Sequence, residues 1–234
     1  MIIAFDPVVA RTARRRQTQP RRGTKILLID NRDTFTAHLA DACRGAGAEV
    51  EVVPNSVAAT DAVDHALCHD ALLMLSPGQG GPREAGCCMA LIALAARRVP
   101  VIGICLGHQA IVAHHGGRVV RAHEPCHGQS SAIDHDGDGP FAGLPSPMRV
   151  GRYHSLCTPV NDLTERLCVH AVLDGMAMAV SNVEEGQYGL QFHPESILTP
   201  LGTRLLDGML DWAEARRRNF AGLTAGAPAG RIAA

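Results

Sequence analysis

No apolar run in the 234-residue chain approaches the roughly 20 residues that a membrane-spanning helix needs, and the N-terminus lacks the continuous apolar core of a secretory signal. A membrane role is therefore not expected, and the expected compartment is the cytoplasm. Net charge is close to absent: the formal total of −1 carries no basic excess of the kind that nucleic acid as main partner would require. CxxC spacing is missing as well. The eight cysteines are scattered, with Cys87 and Cys88 adjacent, so a disulfide framework is not expected. In a reducing compartment most of them serve as small buried hydrophobes, and a reactive one must be recognised by its surroundings.

The length suits one α/β domain with a sizeable core, expected over residues 24–218, with a tail at each end. Residues 1–23 are Arg-rich with a single acid, Asp6, and read as a disordered, solvated extension. A transit peptide is the alternative there, but the segment contains no serine. Residues 219–234 include "AGLTAGAPAG", without periodicity, and are expected to be a disordered tail.

Between the tails, apolar runs of strand length alternate with segments of helical period. "KILLID" precedes a helix over Thr34–Ala46, "EVEVV" a helix near Thr60–His69, and "ALLMLS" a helix over Glu84–Arg98 that leads into "VPVIGI". Val/Ile/Leu-rich strands joined in this way predict a mostly parallel central sheet with helices on both faces. Beyond Gly117 the runs shorten ("RVVRA", "MRVGRY", "RLCVHAVL", "MAMAVS", "YGLQFH") and turn-rich links such as "DHDGDG" appear, predicting smaller antiparallel strands. A last helix over Leu201–Arg218 carries Leu205, Leu206, Met209, Leu210 and Trp212 as its buried stripe.

One cysteine stands out by position. Gly103-Ile104-Cys105-Leu106-Gly107 has the G-x-nucleophile-x-G form of a strand-to-helix elbow. Flanking glycines permit a tight turn and let the central residue adopt a strained backbone, while the helix starting at Leu106 aims free N–H groups at the sulfur and favours thiolate. Leu106 N–H is also placed to hold an oxyanion. A thiol nucleophile needs a base, and of the twelve histidines His193 in "QFHPES" fits best, because it too follows a strand. Glu195 lies two positions on, where an extended backbone returns a side chain to the same side. Pro194 biases His193 toward extended geometry.

These segments together resemble the class I, triad-type glutamine amidotransferases, and among them the glutaminase component of anthranilate synthase. The likeness runs through "ILLIDNRDTFT", "LMLSPGQGGPREAGC", "PVIGICLGHQAIV", "HGQSSAIDHDG", "FAGLPSPMRVGRYHSL", "DGMAMAV" and "GLQFHPESILT", from about Lys25 to Trp212. The resemblance implies Cys105 as nucleophile, His193 as general base and acid, and Glu195 as the residue that orients His193. It implies a glutamine and oxyanion pocket of Gly78, Gln79, Gly80, Leu106, Gln109, Ser155 and Leu156. It also implies hydrolysis of glutamine and delivery of ammonia to a separate chorismate-using synthase, the large subunit (component I) of anthranilate synthase. No cofactor or metal is expected on this chain; Mg2+ is expected to be needed by the partner. The related reading is the amidotransferase subunit of 4-amino-4-deoxychorismate synthase, or one shared by both; a more distant one is a non-catalytic regulatory or scaffolding homologue. His65, Cys68 and His69, and the pair His114 and His115, have ligand chemistry but no motif ties a further ligand to them. Three positions depart from the family pattern: Arg32 where an aromatic is common, Gln79 where proline is, and Gln129 where lysine is.

Overall fold

The computed structural model describes residues 23–225. Its architecture follows from the first strand, β1 (Lys25–Asn31), in which Ile26 and Leu28 face one side, Leu27 and Ile29 the other, and all four are buried. A strand apolar on both faces needs a helical layer on each. Then follow α1 (Phe35–Gly45), β2 (Glu49–Pro54), α2 (Ala59–His69), β3 (Ala71–Gly78), α3 (Cys88–Ala95), β4 (Val101–Ile104) and α4 (Leu106–His114). After them come β5 (Val120–Arg121), β6 (Gln129–His135), β7 (Met148–Arg152), β8 (Leu156–Cys157), β9 (Cys168–Leu173), β10 (Met176–Asn182), β11 (Gln187–Leu190) and α5 (Gly202–Ala225).

Nine strands form one sheet in the order β2-β1-β3-β4-β11-β10-β9-β6-β7. The first five are parallel, and from β11 to β7 every pairing is antiparallel. Strands β5 and β8 make a separate two-stranded ribbon. One core packs Ile26, Leu28, Met74 and Ile104 against Leu39 and Cys43 of α1 and Leu205, Leu206, Met209 and Leu210 of α5. The other packs Leu27, Ile29, Leu73, Leu75 and Val101 against α2, α3 and α4. The expected layering is thus present, with the parallel half carrying the elbow at the carboxyl end of β4.

Three details differ from the sequence expectations. The helix expected over Glu84–Arg98 is reduced to a 3-10 turn at Pro82–Glu84 and α3. Gly86 interrupts it: φ is +56°, a Cβ there would lie 2.2 Å from Asn55 O, and Cys87 N–H donates to that carbonyl instead of to a helical partner. Strand β6 extends through Asp134 and His135, the start of the segment read as a link, because both pair with β9. Finally, α5 does not stop at Arg218 but continues to Ala225, correcting the tail expected from residue 219. Phe220 explains the extension, being only 6% exposed and packed where Gly186 leaves room for its ring. The Arg-rich segment, apart from Gly23, and residues 226–234 lie outside the described residues.

Candidate active site

Cys105 occupies the N-cap of α4 with φ 53° and ψ −98°, a conformation that side-chain-bearing residues rarely adopt. The positive φ falls on the cysteine and on neither flanking glycine. The glycines are required for close approach instead: a Cβ on Gly103 would lie 2.4 Å from Gly107 C and O, and one on Gly107 would lie 2.6 Å from Leu75 O. Helix α4 therefore folds back directly onto β4 and β3. Cys105 N–H donates to Leu190 O at 2.7 Å and Cys105 O accepts from Gln109 N–H at 3.0 Å, so the elbow is tied to β11 on one side and to the helix on the other. The N–H groups of the first helical turn, Leu106 foremost, have no intrahelical acceptor and open beside the sulfur.

His193 reaches the same point from the other half of the sheet. Strand β11 ends at Leu190, and His193 forms a single antiparallel bridge to Gly151 of β7, with its N–H on Gly151 O at 3.0 Å. Thr199 braces the corner: its hydroxyl donates to His193 O at 2.6 Å and accepts from Gly151 N–H at 2.9 Å. The link to Glu195 is a turn and not the extended pair expected from the sequence. Ser196 N–H donates to His193 O at 3.3 Å, with Pro194 in the position where its fixed φ favours turning. The turn achieves the contact that extension was expected to give, Nδ1 of His193 lying 2.7 Å from Glu195 Oε1 with the carboxyl side chain fully enclosed. A carboxylate at Nδ1 fixes the proton there and leaves Nε2 toward Cys105. Burial alone would lower the His193 pKa, but the Cys105 sulfur and the Glu195 carboxylate outweigh it and raise it to about 10.

Cys105 and His193 open into a cleft of about 370 Å³ that is also lined by Gly78, Gln79, Gly80, Gln109, Ser155 and Leu156. Leu106 and Glu195 stand behind this wall. Gly78 cannot be larger, since a Cβ would lie 2.5 Å from Leu106 Cδ2 and 2.7 Å from Asn31 Cβ. The loop carrying Gln79 is exposed, yet its root is clamped: Asn31 donates from N to Ser76 Oγ at 2.9 Å and from Nδ2 to Ser76 O at 2.8 Å. Gly80 has φ +82° and lies under Glu84, whose carboxylate accepts from Gly81 N–H at 2.9 Å. Arg32 is exposed with φ 61°, and Gln129 is exposed at the start of β6, two residues beyond His127 of the cleft wall.

Several residues that line the cleft or stand behind its wall carried no sequence signal. Phe35 and Tyr153 enclose the imidazole, with ring centroids 4.7 Å and 5.0 Å from that of His193, and Tyr153 Oη lies 3.0 Å from Ser196 Oγ. His154 is buried at the cleft wall, where Nδ1 meets Leu156 O at 2.9 Å. Gln191, wholly buried, lies beside the sulfur. Phe35, Tyr153 and Gln191 are lone residues whose partners are distant in sequence, and His154 bonds within its own short segment, where no periodicity marks it.

Away from the cleft, His65 pairs with Glu51 at 2.9 Å and stacks on His69. Among the described residues one trio has metal-ligand chemistry, His114, His115 and Glu185, with ligand atoms within 4.8 Å of one another. His115 Nε2 already bonds Gln187 Oε1 at 2.6 Å and Arg166 approaches Glu185 at 3.3 Å, so these side chains form a polar tie between α4 and the start of β11. No helix among the described residues is long and apolar enough to cross a membrane.

Residues 27–211 match the family model of the class-I glutamine amidotransferases. A protein named anthranilate synthase component 2 from Haemophilus influenzae is 43% identical over 188 residues, 80% of this chain and 96% of that protein. A Pseudomonas aeruginosa protein named anthranilate synthase component 2, pyocyanine specific, is 44% identical over 193 residues, 82% of this chain and 95% of that protein. Among solved structures, a Thermoplasma acidophilum protein described as a candidate GMP synthase subunit superposes with a TM-score of 0.73 at 25% identity, covering 84% of this chain and 96% of that one. The model match spans both the elbow thiol and the turn that carries His193, and with it the chain belongs to the class-I glutamine amidotransferase family.

Proposed function

We propose that this chain is the glutaminase subunit of anthranilate synthase, hydrolysing glutamine through Cys105, His193 and Glu195 and passing ammonia to a chorismate-using large subunit. The observation that carries the reading is the meeting of Cys105, held at positive φ on a helix N-terminus, with a carboxylate-paired imidazole in one cleft. The Cys105 thiolate attacks the side-chain amide carbon of glutamine, and the resulting oxyanion is held by Leu106 N–H with Gly78 as the second backbone donor. His193, protonated at Nε2, gives that proton to the departing nitrogen; the C–N bond breaks, and ammonia and a glutamyl thioester are formed. His193 then takes a proton from water, whose oxygen attacks the thioester, so that the C–S bond breaks and glutamate leaves with the thiolate restored. Glu195 keeps the imidazole oriented and offsets its charge through both steps. The names of the relatives support the choice of partner, and the product would be anthranilate.

The test separates this chain's chemistry from that of the synthase. Cys105→Ser keeps a small polar side chain, but an alcohol is poorly activated where the helix end and imidazole suit a thiolate. Reconstituted with an anthranilate synthase large subunit, the variant should lose glutamine-dependent anthranilate formation by about 10³-fold or more, the scale of losing a catalytic nucleophile. Ammonium salt at alkaline pH should restore product. A variant that still uses glutamine at the wild-type rate overturns the reading, as does a wild-type chain that never supports glutamine-dependent synthesis.

A further inference from the structure

Two glutamine side chains connect the carbonyl of Leu156 to the sulfur of Cys105, and their order leaves little freedom in how either amide is oriented. Leu156 O can only accept, and Gln109 Nε2 lies 3.3 Å from it. The same nitrogen lies 3.2 Å from Gln191 Oε1, so its second hydrogen is used there. With Oε1 committed to Gln109, the Gln191 nitrogen faces Cys105 Sγ at 3.7 Å, within the range of a hydrogen bond to sulfur. Reversing either amide would set oxygen against oxygen or N–H against N–H. The backbone permits no drift, because Gln191 N–H donates to Met178 O at 2.9 Å, and the side chain is wholly enclosed.

We propose that Gln191 is a dedicated hydrogen-bond donor to the nucleophile, stabilising the thiolate of Cys105 from the sheet side while the end of α4 does so from the helix side. This rests on the reading of Cys105 as nucleophile. A thiol sulfur is a weak acceptor and a thiolate a strong one, so an N–H fixed toward the sulfur acts on the ionised form far more than on the neutral one. Both partners are nearly inaccessible to water, Cys105 being 6% exposed, so solvent cannot replace the donor when it is removed. The relay also divides the work of Gln109. Its two N–H bonds are spent on Leu156 and Gln191, leaving Oε1 as the atom able to receive the ammonium end of a bound amino acid. Recognition of the ligand's charged end and ionisation of the thiol thereby share one hydrogen-bonded chain.

The experiment is the pH dependence of Cys105 alkylation by iodoacetamide in the full chain, read by mass spectrometry of the Cys105 peptide so that the other cysteines do not contribute. Gln191→Leu removes the donor, and Gln191→Met removes it while keeping length and volume, which guards against a variant that fails through packing alone. Losing one hydrogen bond to a buried charged group should raise the alkylation midpoint by about 1–2 pH units. In the reconstituted complex, kcat for glutamine should fall about tenfold at pH 7 and recover toward wild type at alkaline pH, with KM changed much less. A packing defect would not return with pH. Alkylation midpoints unchanged in both variants overturn the proposal. The readouts distinguish the two ideas: a chain whose midpoint shifts but which never uses glutamine overturns the proposed activity alone, whereas glutamine use with unshifted midpoints overturns the role of Gln191 alone.

Discussion

Gly103 and Gly107 show what a residue-scale motif encodes. The pattern G-x-C-x-G reads as a licence for strained backbone, yet the strained residue is the cysteine, and the glycines exist because β4, α4 and β3 touch there through main-chain atoms. Gly103→Ala should therefore lower the melting temperature by about 5–10 °C, as expected for roughly 2–3 kcal/mol of overpacking in a domain of this size. Gly45→Ala, on α1 with open space around its Cα, should leave melting unchanged or raise it slightly, as for a helical glycine relieved of excess freedom. Thermal unfolding of both checks the contrast; equal effects would mean that local propensity and not close approach governs these positions. The Cys105, His193 and Glu195 positions were legible because each sits in a short motif at the end of an apolar run. Gln191 was not, since a single amide in "YGLQFH" has no periodic meaning and its partner Gln109 lies 82 residues earlier. Tyr153 and Phe35 were missed for the same reason, as their ring contacts form only when β7 and the start of α1 meet over His193.

At the scale of elements, sequence periodicity identified the parallel half well because its central strands β1, β3 and β4 are continuous apolar runs, with helices packed against them on both faces. The antiparallel half was read less completely. Strand β6, "QSSAIDH", is mostly polar because one side faces solvent, and its pairing with β7 and β9 supplies what its composition does not. A polar relay reinforces that region: His170 Nδ1 lies 2.7 Å from Asp136 Oδ2 and Nε2 lies 2.8 Å from Ser181 Oγ. The order mimics a serine hydrolase, but Ser181 is wholly buried, and the three residues fasten the end of β6 to β9 and β10. The end of α5 is not legible in the sequence because a Gly/Ala-rich stretch masks a single anchoring ring. Phe220 sits over Gly186, Arg217 pairs with Asp70 and Glu214, and the last turns close against the end of the sheet opposite the cleft. Truncation after Arg218 should cost about 2–3 kcal/mol, less than a fully central Phe→Ala change, and lower the melting temperature accordingly. Glutaminase activity of the surviving folded protein should be unchanged, since among the described residues none beyond Arg218 lines the cleft. Loss of activity at a temperature where the truncated chain remains folded would show that the helix end also positions the site.

For the molecule as a whole, the buried histidines set the pH range of stability. His108 lies fully buried between α4 and β11, where a Cβ on Gly189 would be 2.7 Å from its Nδ1, and burial lowers its pKa to about 4. His154, 3% exposed, is also lowered to about 4, by burial first and then by the Arg152 guanidinium, whose Nε is 3.2 Å from its Nε2. In the unfolded chain both titrate near 6.5. Between about pH 4 and pH 6.5 the unfolded chain therefore binds more protons than the native one, and stability falls as the medium is acidified through that window. For the fully enclosed His108 the loss at pH 5 is about 2 kcal/mol. His193 acts in the opposite sense: its pKa is raised to about 10, so the stabilisation it gains from Cys105 and Glu195 is present in full below about 6.5 and is lost as pH rises through 10. The two effects together place maximal stability near pH 6.5, with the acid limb governed by residues that do no chemistry in the cleft. His108→Leu should keep most of its neutral-pH stability, because neither ring nitrogen has a side-chain or main-chain bond of good geometry to lose. It should also flatten the acid limb, so that the drop in melting temperature from pH 7.5 to pH 5 shrinks by about 4–8 °C relative to wild type. Melting curves collected across that range for both proteins decide the matter, and an acid limb of unchanged steepness would mean that other groups, not the buried imidazole of His108, control acid unfolding.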